Sequence, residues 1–149
     1  MSDRVERAVS AFDEGFNCSQ SVFSSYSDLF GVDPSTANRI ACGFGGGMGR
    51  LQEVCGAVAG AIMIAGLKDG KTRPDDSDSL ERTYAKVRLI AKRFKEQHGT
   101  IICKELLEYD ISTAEGRRQA KEKNLFSTVC AGCVRDSANI VEDIVLKER

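Results

Sequence analysis

Apolar residues recur three and four positions apart along almost the whole chain, the spacing of one face of a helix. The clearest case is Leu80, Tyr84, Val87, Ala91 and Phe94, alternating four and three apart; it predicts an amphipathic helix ending near His98-Gly99. Val5, Ala8, Phe12 and Phe16 predict a first helix that stops at Gly15. Asn17 can cap a second helix carrying Ser21-Val22-Phe23, Tyr26 and Phe30, with Gly31 ending it. Asp33-Pro34 supplies a cap and an N1 proline for a short helix to about Ala41. Thr100 is the expected cap of Ile101-Ile102-Cys103-Lys104-Glu105-Leu106-Leu107. Ser112, with Glu115 three residues on, resembles a capping box. Val134, Ser137, Val141 and Ile144 fall on one face of a last helix. No run combines period-two alternation with β-branched enrichment, so no strand is predicted. The expectation is an all-α fold, a compact helical bundle.

One segment breaks the periodicity. From Gly43 to Gly70, nine of 28 residues are glycine, beginning Gly43-Phe44-Gly45-Gly46-Gly47-Met48-Gly49. Such a run admits positive φ and lets the backbone approach a ligand, or cysteine sulfurs, closely; the plainer alternative is that the glycines only permit tight helix packing. A dinucleotide fingerprint fails, because Met48 or Arg50 stands where glycine is needed and no strand precedes the loop. Val54 to Leu67 is an apolar run of 14 residues, too short to cross a bilayer and suited to a buried helix after the loop. In it, Gly56-Ala57-Val58-Ala59-Gly60 puts small residues on one face, for a close contact within the chain or a homodimer seam.

Length and charge narrow the function. The 149 residues fit one domain, 1–149. The 21 basic and 22 acidic side chains leave a net charge of −1, which argues against a non-specific nucleic-acid binder. Met1 to Arg7 is charged with no apolar stretch, so no secretory signal is expected and the reading is a cytoplasmic protein. Cysteines in that compartment tend to be catalytic, redox-sensing or metal-binding.

There are six, at 18, 42, 55, 103, 130 and 133, against one histidine. Only Cys130-Ala131-Gly132-Cys133 is a local pair, and the second pair usual in a structural zinc site is missing, so zinc is the less favoured metal. Val134 follows where covalent haem attachment needs histidine. Ser127 or Thr128 is the expected cap of a helix starting near Cys130, where backbone N–H groups favour thiolate. Cys133, one turn on, would then resolve a disulfide. Cys42 reads more simply as a small hydrophobe.

These residues resemble a family of redox-active proteins named for the cysteine pattern C–GCAxxG–C–C. The resemblance runs from Asn17-Cys18-Ser19-Gln20 to the last helix. It is carried by Gly43-Phe44-Gly45-Gly46-Gly47-Met48-Gly49-Arg50, by Cys55-Gly56-Ala57-Val58-Ala59-Gly60 (a CGAxxG motif), by Cys103-Lys104-Glu105-Leu106-Leu107 and by Cys130 before Val134-Arg135-Asp136. It implies Cys18, Cys55, Cys103 and Cys130 as one working set, with Cys42 and Cys133 as additions. Four thiolates from separate helices can hold an iron–sulfur cluster or act as two dithiol pairs. In the thiol version Cys130 attacks and Cys133 or Cys103 resolves; in the cluster version the four are ligands and the glycine loop donates backbone N–H groups. Both would serve an oxidoreductase or electron carrier with a redox partner protein. The alternatives are a non-catalytic metal-binding or trafficking module and an interaction domain with inert buried cysteines.

Other candidates read as structural. His98, before Gly99, suits the negative end of a helix, and without a third group a Cys–His hydrolase site is weak. Asp75, Asp76 and Asp78 resemble a helix N-terminus rather than a calcium loop. Arg117-Arg118-Gln119-Ala120-Lys121-Glu122-Lys123 reads as a solvated basic face.

Overall fold

The computed structural model describes residues 3–147; Met1 and Ser2 of the charged opening stretch lie outside the described residues. Its α-helices are α1 (Asp3–Glu14), α2 (Cys18–Ser24), α3 (Pro34–Ala41), α4 (Gly56–Asp69), α5 (Ser77–His98), α6 (Cys103–Leu107), α7 (Ala114–Glu122) and α8 (Ala131–Ile140). The fold is all-α. Among the described residues, the β pairing is one isolated antiparallel bridge, Val54 to Ile102.

Local chemistry sets the boundaries. Gly15 ends α1 at φ 116°. Asn17 starts α2 with a reciprocal cap: its side chain accepts from Gln20 N–H at 2.9 Å, and Gln20 Oε1 accepts from Asn17 N–H at 3.0 Å. The predicted second helix is shorter than expected. Ser21 and Ser25 hydroxyls donate back to the carbonyls of Asn17 and Ser21, a habit that weakens a helix, and α2 stops at Ser24. A 3-10 turn, Ser27–Phe30, completes the segment before Gly31 at φ 81°. Asp33 caps α3 as its sequence implies, accepting from Thr36 N–H at 3.0 Å.

Three other expectations shift. On α5 the inward stripe runs through Thr83, Val87, Ile90 and Phe94, and Tyr84 is 52% exposed. Thr83 can face inward because its hydroxyl is satisfied by the Ser79 carbonyl at 2.9 Å. The Thr100 hydroxyl accepts from Ile102 N–H at 3.0 Å, and Ile102 is held by its bridge to Val54, so α6 starts at Cys103 rather than Ile101. Thr113, not Ser112, caps α7, because the Ser112 hydroxyl is turned back to donate to Asp110, which also accepts from Ser112 N–H at 3.0 Å.

Most of the core is a cluster built by α1, α2, α4, α5 and α8. Helix α4 is its axis: Val58, Ala61, Ile64 and Ala65 are fully buried. Its small face packs on α2, where a Cβ at Gly60 would lie 2.9 Å from Val22 Cβ. That face is therefore covered within the chain and does not form the homodimer seam considered above. A smaller cluster holds Cys103, Leu107, Ile111 and Ala120. Among the described residues no helix is long and apolar enough to cross a membrane.

Replacing Asn17 with Ala removes the side-chain half of the α2 cap, the acceptor for Gln20 N–H, and the bond from Asn17 Nδ2 to the Cys42 carbonyl, 2.9 Å. The expected loss of stability is about 1–2 kcal/mol, read as a lower urea midpoint with unchanged helical circular dichroism. An unchanged midpoint would contradict it.

Candidate functional site: a cysteine-lined cavity

The two clusters meet at a cavity of about 490 Å³, and all six cysteines border it. Cys18, Cys55 and Cys133 come from the larger cluster, and Cys103 and Cys130 from the smaller. Cys42 is the exposed thiol of the set; Cys55, Cys103 and Cys133 are buried, and Cys18 and Cys130 are partly so. All six are free thiols.

Each position has a local cause. Cys18 is the first residue of α2, placed by the Asn17 cap, and Cys55 immediately precedes α4. Cys103 is the first residue of α6. Between Cys18 and Cys55 runs the glycine segment, in which Gly46, Gly47, Met48, Gly49 and Arg50 all have positive φ, from 55° to 72°. Five left-handed residues in succession make a turn that costs about 1–2 kcal/mol at each non-glycine position, here Met48 and Arg50. The turn is closed by Gln52 N–H to the Gly46 carbonyl and Glu53 N–H to the Gly47 carbonyl, each 3.1 Å.

Glycine is needed here for space as much as for φ. A Cβ on Gly47 would sit 2.9 Å from Cys103 Cβ, and one on Gly56 would sit 2.5 Å from Cys18 Sγ. The backbone thus threads between two of the cysteines. Beyond the turn, Cys55 N–H donates to the Ile101 carbonyl and Cys103 N–H to the Glu53 carbonyl, both 2.7 Å, which sets these two cysteines side by side. Gln52 pins the arrangement: its Nε2 donates to the Tyr109 carbonyl at 2.7 Å and its Oε1 accepts from Ile111 N–H at 3.1 Å.

The electrostatics are those of buried thiols. Contact with Cys55 and burial hold Cys18 well above the ordinary thiol value, although Gly46 and Ser19 N–H groups donate to its sulfur. Cys55 is raised by its hydrogen bond with Cys133 and by burial, against opposing bonds from Cys18 and Ala57 N–H. Burial pushes Cys103 up to about 11, against a bond from Gln52. Burial, then the charges of Cys18 and Cys103, push Cys130 up to about 12.

The Cys130 surroundings correct the sequence reading. Cys130 ends a π-helical turn, Phe126–Cys130, that runs straight into α8, so no helix starts there. Ser127 and Thr128 hydroxyls both donate to the Asn124 carbonyl and cap nothing at Cys130. Burial therefore acts on its thiol unopposed by a helix N-terminus. Cys130 and Cys133, adjacent in the CxxC pair, have different neighbours: Cys18 and Cys103 for the one, Cys55 for the other. Cys42, read above as a small hydrophobe, is exposed at the cavity wall.

Three residues at or beside the site went unnoticed in the sequence. Gln52 carries no motif. Arg50 looked like the end of the glycine run, and Arg117 like part of a solvated face. Arg118 and Glu122 do form that face, whereas Arg117 borders the cavity. The structural readings hold elsewhere. Asp76 caps α5 through Ser79 N–H at 3.1 Å. His98 ends α5 and lies 2.8 Å from Asp136 Oδ2, stacked on Phe94.

The raised thiols give a pH signature. Below the ordinary value of about 9 they are protonated in folded and unfolded chains alike. Above it the unfolded chain releases protons that folded Cys103 and Cys130 keep until about 11 and 12, so stability falls as pH rises through that window. The reduced, metal-free protein should lose urea resistance from about pH 9 upward. Its Cys103→Ala and Cys130→Ala variants should show a flatter decline, and equal slopes would contradict the assignment.

The fold is all-helical and draws six thiols to the wall of one cavity. The chain belongs to the family described as "Putative redox-active protein (C_GCAxxG_C_C)", whose profile matches residues 16–144. It is also 30% identical, over 124 residues, to an uncharacterised protein of Archaeoglobus fulgidus, covering 78% of this chain and 82% of that one. No solved structure matches it.

Proposed function

We propose that this chain carries electrons through an iron–sulfur cluster held by Cys18, Cys55, Cys103 and Cys130. The observation that carries the reading is that these thiols, from four separate segments, border one cavity of about 490 Å³. Among the described residues, no three His, Cys, Asp or Glu side chains are gathered closely enough to hold one metal ion. A single zinc, with bonds of about 2.3 Å, needs its sulfurs within roughly 4 Å of one another. A cluster places iron and sulfide between its ligands and suits a wider spread. Backbone N–H groups of Gly46, Ser19 and Ala57 already donate to cysteine sulfurs, as a thiolate-ligated cluster favours.

When bound, the cluster would supply one-electron uptake and release. The chain's own part is to present the thiols, donate N–H groups to sulfur and keep the surroundings apolar. Because burial raises these thiols, holding the cluster would mean displacing their protons. Anaerobic purification, a visible spectrum, and iron and acid-labile sulfide counted per chain test the proposal. Iron with sulfide supports it; zinc alone, or no metal after anaerobic reconstitution, overturns it.

A second reading rests on a different observation, the hydrogen-bonding contact of Cys55 with both Cys18 and Cys133. Two such thiols can reduce a substrate disulfide. They would lose two protons and two electrons to form their own S–S bond while the substrate becomes two thiols. The raised thiols oppose it, because the attacking species is the thiolate. The Cys130–Cys133 pairing has no such contact behind it, whereas Cys103 is a neighbour of Cys130.

A further inference from the structure

Of the side chains that border the cavity, two carry formal charge, Arg50 and Arg117, and both are positive. Among the described residues no Asp or Glu borders it. The remaining wall is thiol, glycine and hydrocarbon, with the Asn17 amide. Among the described residues, neither arginine pairs with a carboxylate. The carboxylates Glu115 and Glu122 pair with Arg118 instead. Arg117 donates to the Ile111 carbonyl at 2.9 Å, an uncharged partner that ties its guanidinium to the smaller cluster. Arg50, at the end of the left-handed turn, has no carboxylate partner among the described residues. The two reach the cavity from different segments, the glycine turn and α7.

An unpaired guanidinium beside an apolar cavity is a strong donor to negative charge. A cationic guest would meet two positive charges and no counter-charge. A neutral guest would find few polar partners. We infer that the cysteine cavity is an anion-selective site, with Arg50 and Arg117 recognising the negative charge of what it takes. Two sources fit that chemistry: a thiolate-ligated cluster of net negative charge, or a small oxyanion or carboxylate entering as substrate. The first source rests on the function proposed above, whereas the recognition of charge does not.

The test is alkylation of the reduced, metal-free, full-length protein with anionic iodoacetate and neutral iodoacetamide, the rates resolved at each cysteine by mass spectrometry. At Cys42, Cys18 and Cys130 the iodoacetate-to-iodoacetamide ratio should stand several-fold above that of the urea-unfolded chain, and high salt should narrow it. In the Arg50→Asn/Arg117→Gln double variant the ratio should fall to the unfolded value; Arg50→Lys should retain most of it. Asparagine is chosen at position 50 because it tolerates the left-handed backbone there. If loss of the Ile111 tie unfolds the double variant, Arg50→Asn alone still lowers the ratio. A folded wild-type protein with the unfolded ratio, or variants that match wild type, would overturn the inference.

Two further arms separate the sources. If the guest is the cluster, the midpoint potential of the iron-loaded double variant moves to more negative values, because lost positive charge disfavours the reduced form. If the guest is a small anion, phosphate or sulfate protects the cavity thiols of the metal-free wild type from alkylation and fails to protect the double variant.

Discussion

Serine substitution at Cys18, Cys55, Cys103 or Cys130, one at a time, should reduce the iron and sulfide of anaerobically prepared protein to near background, while Cys42→Ser stays close to wild type. The contrast follows from position. The four are fixed by structure that precedes any loading: a capped helix start for Cys18, the Ile101 and Glu53 carbonyl bonds for Cys55 and Cys103, and the π turn for Cys130. Cys42 is exposed on the wall of the cavity, between α3 and the glycine turn. Cys133→Ser is the informative intermediate. Its sulfur is buried at 1% exposure and engages Cys55, so the variant should load with an altered spectrum or potential rather than fail to load. A buried serine hydroxyl can itself cost about 1–3 kcal/mol, so each variant's urea midpoint must accompany its metal content. Folded variants that all retain iron would remove the ligand assignment. Failure of Cys133→Ser and Cys55→Ser alone, with Cys103→Ser and Cys130→Ser unaffected, would favour the dithiol reading.

The parts of this site that were legible in the sequence are those written in local chemistry. Asn17 with Gln20 is a cap on paper and in space, and it places Cys18 without reference to anything distant. The glycine run announces a backbone that must pass close to something, and two of its partners are Cys103 and the neighbourhood of Cys18. What was not legible depends on segments far apart in the chain. The alignment of Cys55 with Cys103 is made by a bridge too short to leave a period-two pattern, Val54 with Ile102. The π turn at Cys130 has no sequence signature, and Ser127 and Thr128 are as suited to capping as to bonding back onto Asn124. Thr83 displaced Tyr84 from the inward stripe because a hydroxyl satisfied within its own helix can be turned toward the core. Arg117 and Arg118 are neighbours of identical type, and only the fold separates the cavity residue from the surface one.

The reverse of that lesson is a steric one at Gly56. Gly56→Ala should destabilise the protein by about 1–3 kcal/mol, the usual cost of forcing a methyl group into a packed contact. It should also disturb the cysteine site, because the clash falls on a cysteine sulfur. The new Cβ would stand 2.5 Å from Cys18 Sγ and 2.9 Å from the Phe44 carbonyl oxygen, so it must displace either the thiol or the backbone that leads into the left-handed turn. The backbone alternative also moves Gly46, whose N–H donates to the same sulfur. Either response changes the Cys18 environment. Gly66→Ala, ten residues on in the same helix, meets nothing within 4 Å, and alanine's helix propensity should make it neutral or stabilising by up to about 1 kcal/mol. The pair is read by urea midpoints and by the rate at which Cys18 reacts with a neutral alkylating agent. Equal midpoints would mean that the close passage of α4 over Cys18 is not part of the stable fold. A lower midpoint with an unchanged Cys18 rate would mean that glycine is required there for helix packing alone. A lower midpoint together with an altered Cys18 rate ties the CGAxxG glycine to the sulfur it touches.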